Sequence, residues 1–101
     1  MSQFSLEGKI ALITGASYGI GYGLATAYAA AGATIVFNDL SQESVDKAIA
    51  AYKADGITAH GYVCDVTDED GVYAMVEKIT KEVGVIDILV NNAGIDRKSV
   101  V

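Results

Sequence analysis

The stretch Ile10-Ala11-Leu12-Ile13-Thr14-Gly15-Ala16-Ser17-Tyr18-Gly19-Ile20-Gly21 governs how the rest of the chain is read. An apolar run ends at Thr14, three glycines follow in quick succession, and a helical pattern begins at Ile20. A strand that feeds a helix through a glycine turn leaves the first N–H groups of that helix without intrahelical partners, at the positive end of its dipole. Such a turn is a seat for phosphate. Glycine allows both the tight bend and the close approach of a diphosphate to the backbone, since a Cβ would stand in the way.

The spacing is Gly-x-x-x-Gly-x-Gly, a variant of the common Gly-x-Gly-x-x-Gly dinucleotide fingerprint. It also lacks the Gly-Lys-Ser/Thr ending of a nucleoside-triphosphate loop, so no lysine is placed to meet β- and γ-phosphates. Taken alone, the turn has a plainer reading as an ordinary tight connection between strand and helix.

Outward from this turn, the chain alternates regularly. Residues 9–14 are nearly all apolar, as expected of a strand buried on both faces in a parallel sheet. Ile20, Leu24, Ala27, Tyr28 and Ala31 recur at helical steps, and Gly32 follows where a left-handed cap is expected. Residues 34–38 form a β-branched second strand that ends at Asp39. Ser41 then caps a helix whose apolar stripe is Val45, Ala48, Ile49 and Tyr52, ending at Gly56. The third strand, residues 57–63, is less apolar and belongs at a sheet edge. Thr67-Asp68-Glu69-Asp70 opens a third helix, carried by Val72, Met75, Val76, Ile79 and Val83 as far as Gly84. Residues 87–91 supply a fourth strand.

This β-α-β-α-β-α-β order specifies an α/β fold with parallel strands and right-handed crossovers. We read it as the N-terminal half of a Rossmann-type doubly wound parallel sheet, four strands in the order 3-2-1-4 with three helices. The first two helices cover one face and the third covers the other, with the switch point beside the first strand. Strand four is left with an apolar, unpaired edge. That edge calls for a further half of the domain, a partner chain or self-association.

Composition bounds the function. With 101 residues, 51% hydrophobic and 20% charged, the chain is one globular domain spanning 1–101. Its net charge of −6 argues against nucleic acid or an anionic membrane as partner. Cys64 and His60 are the sole cysteine and histidine, so no disulfide framework or cysteine-rich zinc site is available, and no metal is expected. Cys64 reads as a small core residue and His60 as a half-exposed strand residue. No signal peptide or membrane-spanning run is evident, which makes the cytoplasm the simplest location.

The remaining chemistry sits at strand ends. Asp39 closes the second strand, where a carboxylate can accept both ribose hydroxyls of an adenosine and repels a 2′-phosphate. This favours NAD over NADP, in agreement with the lack of Arg or Lys at Ser17, Tyr18 and Leu40. A solvated residue opening a turn is the plainer alternative for Asp39. Asp65, at the end of the third strand, could meet the adenine or cap the next helix. Asn91-Asn92-Ala93-Gly94 ends the fourth strand with two amides able to satisfy diverging backbone groups, and two small residues that leave room for a flat ligand. None of the six tyrosines is followed four residues later by lysine, so no Tyr-x-x-x-Lys pair is present for acid–base work.

Thr14-Gly15-x-x-x-Gly19-Ile20-Gly21, Asp39, Asp65-Val66 and Asn91-Asn92-Ala93-Gly94 together resemble the cofactor-side motifs of the short-chain dehydrogenase/reductase family. The match runs from residue 5 to about 95. Leu6-Glu7-Gly8-Lys9-Ile10, Ile35-Val36-Phe37-Asn38-Asp39 and His60-Gly61-Tyr62-Val63-Cys64-Asp65-Val66 are similar to the gluconate 5-dehydrogenase branch, although 3-oxoacyl-carrier-protein reductases and sugar dehydrogenases share most of them.

The resemblance implies that Gly15, Ser17, Gly19, Ile20 and Gly21 hold the diphosphate side of the cofactor and Asp39 its adenosine ribose, with Tyr18 and Leu40 also among the cofactor-binding residues. Asp65 and Val66 would flank the adenine, and Asn91, Ala93 and Gly94 the ribose and central sheet. It further implies an NAD(H)-dependent interconversion of a secondary alcohol and a ketone, on a sugar acid such as gluconate. Family members place their catalytic Ser, Tyr and Lys beyond the point where this chain stops, so the chain is expected to be the cofactor-binding half, inactive alone, with the substrate bound only by the full-length enzyme. The tail Asp96-Arg97-Lys98-Ser99-Val100-Val101 matches no family feature, and Ser99 is not a candidate catalytic serine. The competing expectation is a stand-alone nucleotide-binding or interaction module without chemistry. A methyltransferase-like fold would share the glycine turn and Asp39 but leaves Asn91-Asn92-Ala93-Gly94 unexplained.

Overall fold

The computed structural model describes residues 5–95; the tail that holds Ser99 lies outside them. Four strands, β1 (Ile10–Thr14), β2 (Thr34–Asp39), β3 (Ala59–Val63) and β4 (Ile88–Val90), form one sheet in the order β3-β2-β1-β4. All three pairings are parallel, with Leu12 facing Val36 on one side and Leu89 on the other. The strand order expected from the alternation is therefore the one observed.

The strands run parallel because each connection is a helix: α1 (Gly19–Ala30), α2 (Gln42–Ala54) and α3 (Glu69–Glu82). Alternate residues of the two central strands face opposite ways, so they divide into two cores. Ala11, Ile13, Ile35 and Phe37 pack with Ala25 of α1 and with Val45, Ala48 and Tyr52 of α2. Leu12 and Val36 point to the other face and meet Met75 and Ile79 of α3. Because Ile13, Phe37 and Ile79 are fully buried, truncating any of them to alanine should cost about 2–5 kcal/mol.

Chain direction follows from this packing. After β3 the chain crosses to the opposite face through α3 and returns beyond β1, which puts the topological switch between β1 and β4. Among the described residues no strand pairs with the outer edge of β3 or β4, and Leu89 on the short β4 is 64% exposed. One element was not anticipated. After Asn91 the chain enters a single helical turn, α4 (Asn92–Ile95), which begins where Thr14 Oγ1 accepts the Ala93 N–H at 3.0 Å.

Candidate functional site at the carboxyl rim of the sheet

The end of β1 is held by contacts that leave one side of the glycine turn open. Gly15 and Gly19 have φ of +66° and +64°, a region that side-chain-bearing residues seldom adopt. Gly21 is needed for a different reason. A Cβ there would lie 2.4 Å from Asn92 Nδ2, 2.8 Å from Ala16 Cα and 2.9 Å from the Gly15 carbonyl oxygen. The first turn of α1 can thus press against both the strand end and α4 only while this position carries no side chain.

Three buried side chains fix the polar groups of the turn. Asn38 Oδ1 accepts the Gly15 N–H at 3.1 Å, while its Nδ2 donates to the Cys64 carbonyl at 2.8 Å, so one amide ties the ends of β1, β2 and β3 together. Asn92 Nδ2 donates to the Gly15 carbonyl at 3.1 Å. Tyr52, fully buried on α2, donates its hydroxyl to the Ala16 carbonyl. Burial, with Tyr22 nearby, pushes the Tyr52 phenol above its ordinary value, so it stays a donor at any physiological pH.

Two buried polar atoms at this turn have no partner, Ser17 Oγ and Asn92 Oδ1. Buried polar groups are nearly always satisfied, and an orphan beside a glycine turn is what a site shaped for a polar ligand leaves behind. The helix start agrees. Tyr18, the residue preceding α1, makes no side-chain capping bond, and the first turn carries no acidic residue.

A cleft of about 210 Å³ opens beside the turn, lined by Gly15, Tyr18, Asn38, Asp39, Leu40, Cys64, Val66 and Ala93. Six of the residues singled out from sequence therefore meet in one place: Gly15, Tyr18, Asp39, Leu40, Val66 and Ala93. The Asp39 carboxylate accepts the Leu40 N–H at 2.7 Å and sits half-buried at the end of β2. Ser17, Gly19 and Gly21 belong to the turn and helix start, and Ile20 is exposed on α1 away from the cleft lining.

Asp65 does not line the cleft and does not cap the next helix. Its Oδ1 accepts the Thr67 N–H at 2.9 Å and the Thr67 hydroxyl at 2.7 Å, closing a tight turn, and the cap of α3 is Asp68, which accepts from the Gly71 N–H. Of the two readings left open for Asp65, the capping one is thus replaced by a turn-closing role. Asn91 lies at the rim, with the Thr14 hydroxyl 3.3 Å from its Oδ1, and Gly94 continues α4. The Cys64 thiol is buried, and burial with Asp68 and Asp65 nearby raises its pKa, which suits a packing residue and not a nucleophile.

Sequence reasoning gave no site role to Asn38 or Tyr52, and named Thr14 only within the motif, whereas the Asn92 amide satisfies a backbone group as expected of that pair. Asn38 had a signal in hindsight, a polar amide in a strand otherwise apolar enough to be buried on both faces. Tyr52 had none, because its place in an apolar helical stripe is fully explained by packing.

A family model described as short chain dehydrogenase matches residues 9–101. The chain belongs to the short-chain dehydrogenase family. It is 52% identical over 97 residues to the 2-dehydro-3-deoxy-D-gluconate 5-dehydrogenase of Formosa agariphila, covering 95% of this chain and 37% of that protein. It is 49% identical over 96 residues to the gluconate 5-dehydrogenase of Gluconobacter oxydans, covering 95% and 38%. The crystal structure of a 2-keto-3-deoxy-D-gluconate dehydrogenase from Streptococcus agalactiae superposes with a TM-score of 0.90 at 74% identity, covering 95% of this chain and 36% of that one. This short-chain dehydrogenase chain therefore spans little more than a third of the length of the relatives it matches. Short-chain dehydrogenases are oxidoreductases that use a nicotinamide dinucleotide. Among the described residues, no helix is long and apolar enough to cross a membrane.

Proposed function

We propose that residues 1–101 form the cofactor-binding half of an NAD(H)-dependent dehydrogenase that interconverts a secondary alcohol and a ketone on a sugar acid in the cytoplasm. The observation that carries the cofactor reading is the Asp39 carboxylate at the rim of a cleft adjoining an uncapped helix start. The donors offered by the turn and α1 would receive the diphosphate, with Ser17 Oγ among them. Asp39 would accept the adenosine ribose hydroxyls, the Leu40 and Val66 side chains would enclose the adenine side, and Asn91, Ala93 and Gly94 would border the remaining ribose. Asp65 would support the adenine side only indirectly, through the turn it closes.

A nicotinamide dinucleotide, when bound, supplies or accepts the hydride. The described residues offer binding and orientation; the general acid that moves the alcohol proton would come from the part of the longer relatives that this chain does not span. The sugar-acid assignment draws on the two curated relatives above. A 3-oxoacyl-[acyl-carrier-protein] reductase of Thermotoga maritima, 45% identical over 94 residues, supports a reductase acting on a carrier-bound ketone as the second reading.

Calorimetric titration of the chain with NAD and with NADP tests the cofactor assignment. NAD should bind tighter by roughly tenfold or more, the range of a charge-assisted hydrogen bond lost and a like charge met. Asp39→Ala should collapse that ratio. A ratio that survives the substitution would show that the carboxylate does not select the cofactor.

A further inference from the structure

We propose that Tyr52 is a positioning residue for dinucleotide binding, acting through the Ala16 carbonyl; the inference rests on the cofactor reading above. Tyr52 lies on α2, outside the motif, and lines neither the cleft nor the turn surface. Its ring is fully buried against the ring of Tyr22 on α1, with centroids 4.4 Å apart and planes 18° apart, and against Phe37 of β2 at 5.4 Å. Tyr22 is in turn held by its hydroxyl, which donates to Asp55 Oδ2 at 2.6 Å. The Tyr52 hydroxyl is therefore delivered to Ala16 by a stack that spans both helices on this face of the sheet.

What that bond does to the turn follows from peptide geometry. The C=O of Ala16 and the N–H of Ser17 share one plane and point in opposite directions across a trans bond. Holding the Ala16 oxygen on Tyr52 turns the Ser17 N–H away from α2. Asn92 does the same for the preceding peptide by taking the Gly15 oxygen. The Gly15 and Ala16 carbonyl oxygens are thus engaged by side chains, which leaves the partial positive charge of the N–H groups to dominate the other side of these peptides, in the same turn as the unpartnered Ser17 Oγ. Without the Tyr52 hydroxyl, the Ala16 oxygen is a buried acceptor with no partner, and the peptide is free to swing that oxygen toward an arriving diphosphate.

The consequence is selective for the charged middle of the cofactor. Tyr52→Phe keeps the ring and its stacking while removing the hydroxyl. NAD affinity should fall about five- to tenfold, whereas adenosine, which carries no phosphate and would rest on Asp39 and the cleft walls, should bind as before. Titrations followed by amide NMR resonances of Ser17 and Tyr18, against those of Asp39 and Leu40, separate the two. Tyr62→Phe, which removes a phenol hydroxyl bonded to Glu82 and packed on the opposite face of the sheet, away from Ala16 and α1, is the matched control and should leave both affinities in place. A second measurement uses the unaltered chain: with the Ala16 carbonyl labelled with ¹³C, its resonance should hardly move on NAD addition, while the Ser17 amide shifts.

Equal weakening of NAD and adenosine in Tyr52→Phe, an unchanged NAD affinity, or a large movement of the Ala16 carbonyl resonance would each overturn the proposal. Failure of the unaltered chain to bind NAD at all would overturn the cofactor reading itself, and this inference with it. Binding of NAD with the Asp39-dependent preference intact, but no effect of Tyr52→Phe, would remove only the role of Tyr52.

Discussion

The starts of α1 and of α2 and α3 differ although all three helices begin just past the carboxyl end of a parallel strand. Ser41 caps α2 by accepting the Ser44 N–H at 3.1 Å, and Glu43 lies in its first turn. Asp68 caps α3 by accepting the Gly71 N–H at 3.2 Å, with Glu69 and Asp70 following. At α1 the residue in the capping position is Tyr18, whose side chain bonds nothing in the backbone and is 70% exposed. Capping side chains and first-turn acids are each worth a good fraction of a kcal/mol, so a helix that forgoes both is less stable than its neighbours by about 1–2 kcal/mol. The chain closes two helix starts with its own side-chain oxygens and leaves the third without such a cap.

The largest effect should come from disturbing the approach that keeps the third start in place. Gly21→Ala puts a Cβ 2.4 Å from the Asn92 amide nitrogen and within 2.9 Å of two backbone atoms, Ala16 Cα and the Gly15 oxygen, which cannot yield as a side-chain end can. A loss of about 3 kcal/mol in urea unfolding is expected, together with loss of NAD binding. Gly23→Ala, two residues along the same helix, meets nothing within 4 Å and should stabilise the chain by about 0.5–1 kcal/mol. If both substitutions behaved alike, the close packing of α1 on α4 would be wrong.

A second pair of substitutions exchanges the properties of the two kinds of helix start. Tyr18→Asp gives α1 the cap it lacks: thermal unfolding should show a gain of about 0.5–1 kcal/mol, while NAD affinity drops roughly tenfold because a carboxylate now occupies the anion's place. Ser41→Ala takes the cap from α2 and should lose about 1 kcal/mol without altering NAD affinity. A Tyr18→Asp protein that binds NAD as tightly as the unaltered chain would show that the open start is not an anion seat.

How much of this contrast was legible beforehand varies residue by residue. Ser41, and the acid-rich start at Asp68, were readable because capping is local, decided by a side chain and a backbone N–H three residues on. The strand order was readable because the near-continuous apolar runs of β1 and β2, set against the more polar β3, leave few ways to build a parallel sheet. Asp39, Leu40 and Val66 were placed on one rim because parallel strands all end on the same side. By contrast, Tyr52 and Asn92 act on residues 36 and 77 positions away in sequence, through contacts that exist only once the sheet has formed. Asp65 shows the same limit at short range. An acid just ahead of a helix can cap it or close the turn before it, and the choice depends on where the helix begins, which composition leaves open by several residues.

The smallest effect sharpens the comparison from its other side, by asking what holds the uncapped helix in the absence of ligand. Tyr22, in the first turns of α1, donates to Asp55 at the end of α2, and that bond with the Asp55 charge and burial raises its phenol pKa to about 12 from 10.0. Tyr62 of β3 donates to Glu82 at the end of α3 at 2.8 Å, and its phenol is likewise raised to about 12, by burial first and Glu82 second. In both cases the folded state keeps a proton that the unfolded chain releases near pH 10. The contribution is therefore complete below pH 10 and is lost as the pH rises through about 12. Urea midpoints measured between pH 9 and 12 should fall, and each phenylalanine variant should flatten part of that fall. Because both bonds lie at the surface, where water screens them, the change should be modest. Its distribution is the informative part: Tyr22→Phe should speed amide exchange in the first turn of α1, whereas Tyr62→Phe should leave the first turn of α3 protected by Asp68. Equal protection of the two helix starts in both variants would mean that α1 is held by the glycine packing alone, and that the tyrosine pair contributes to the turn without supporting the helix.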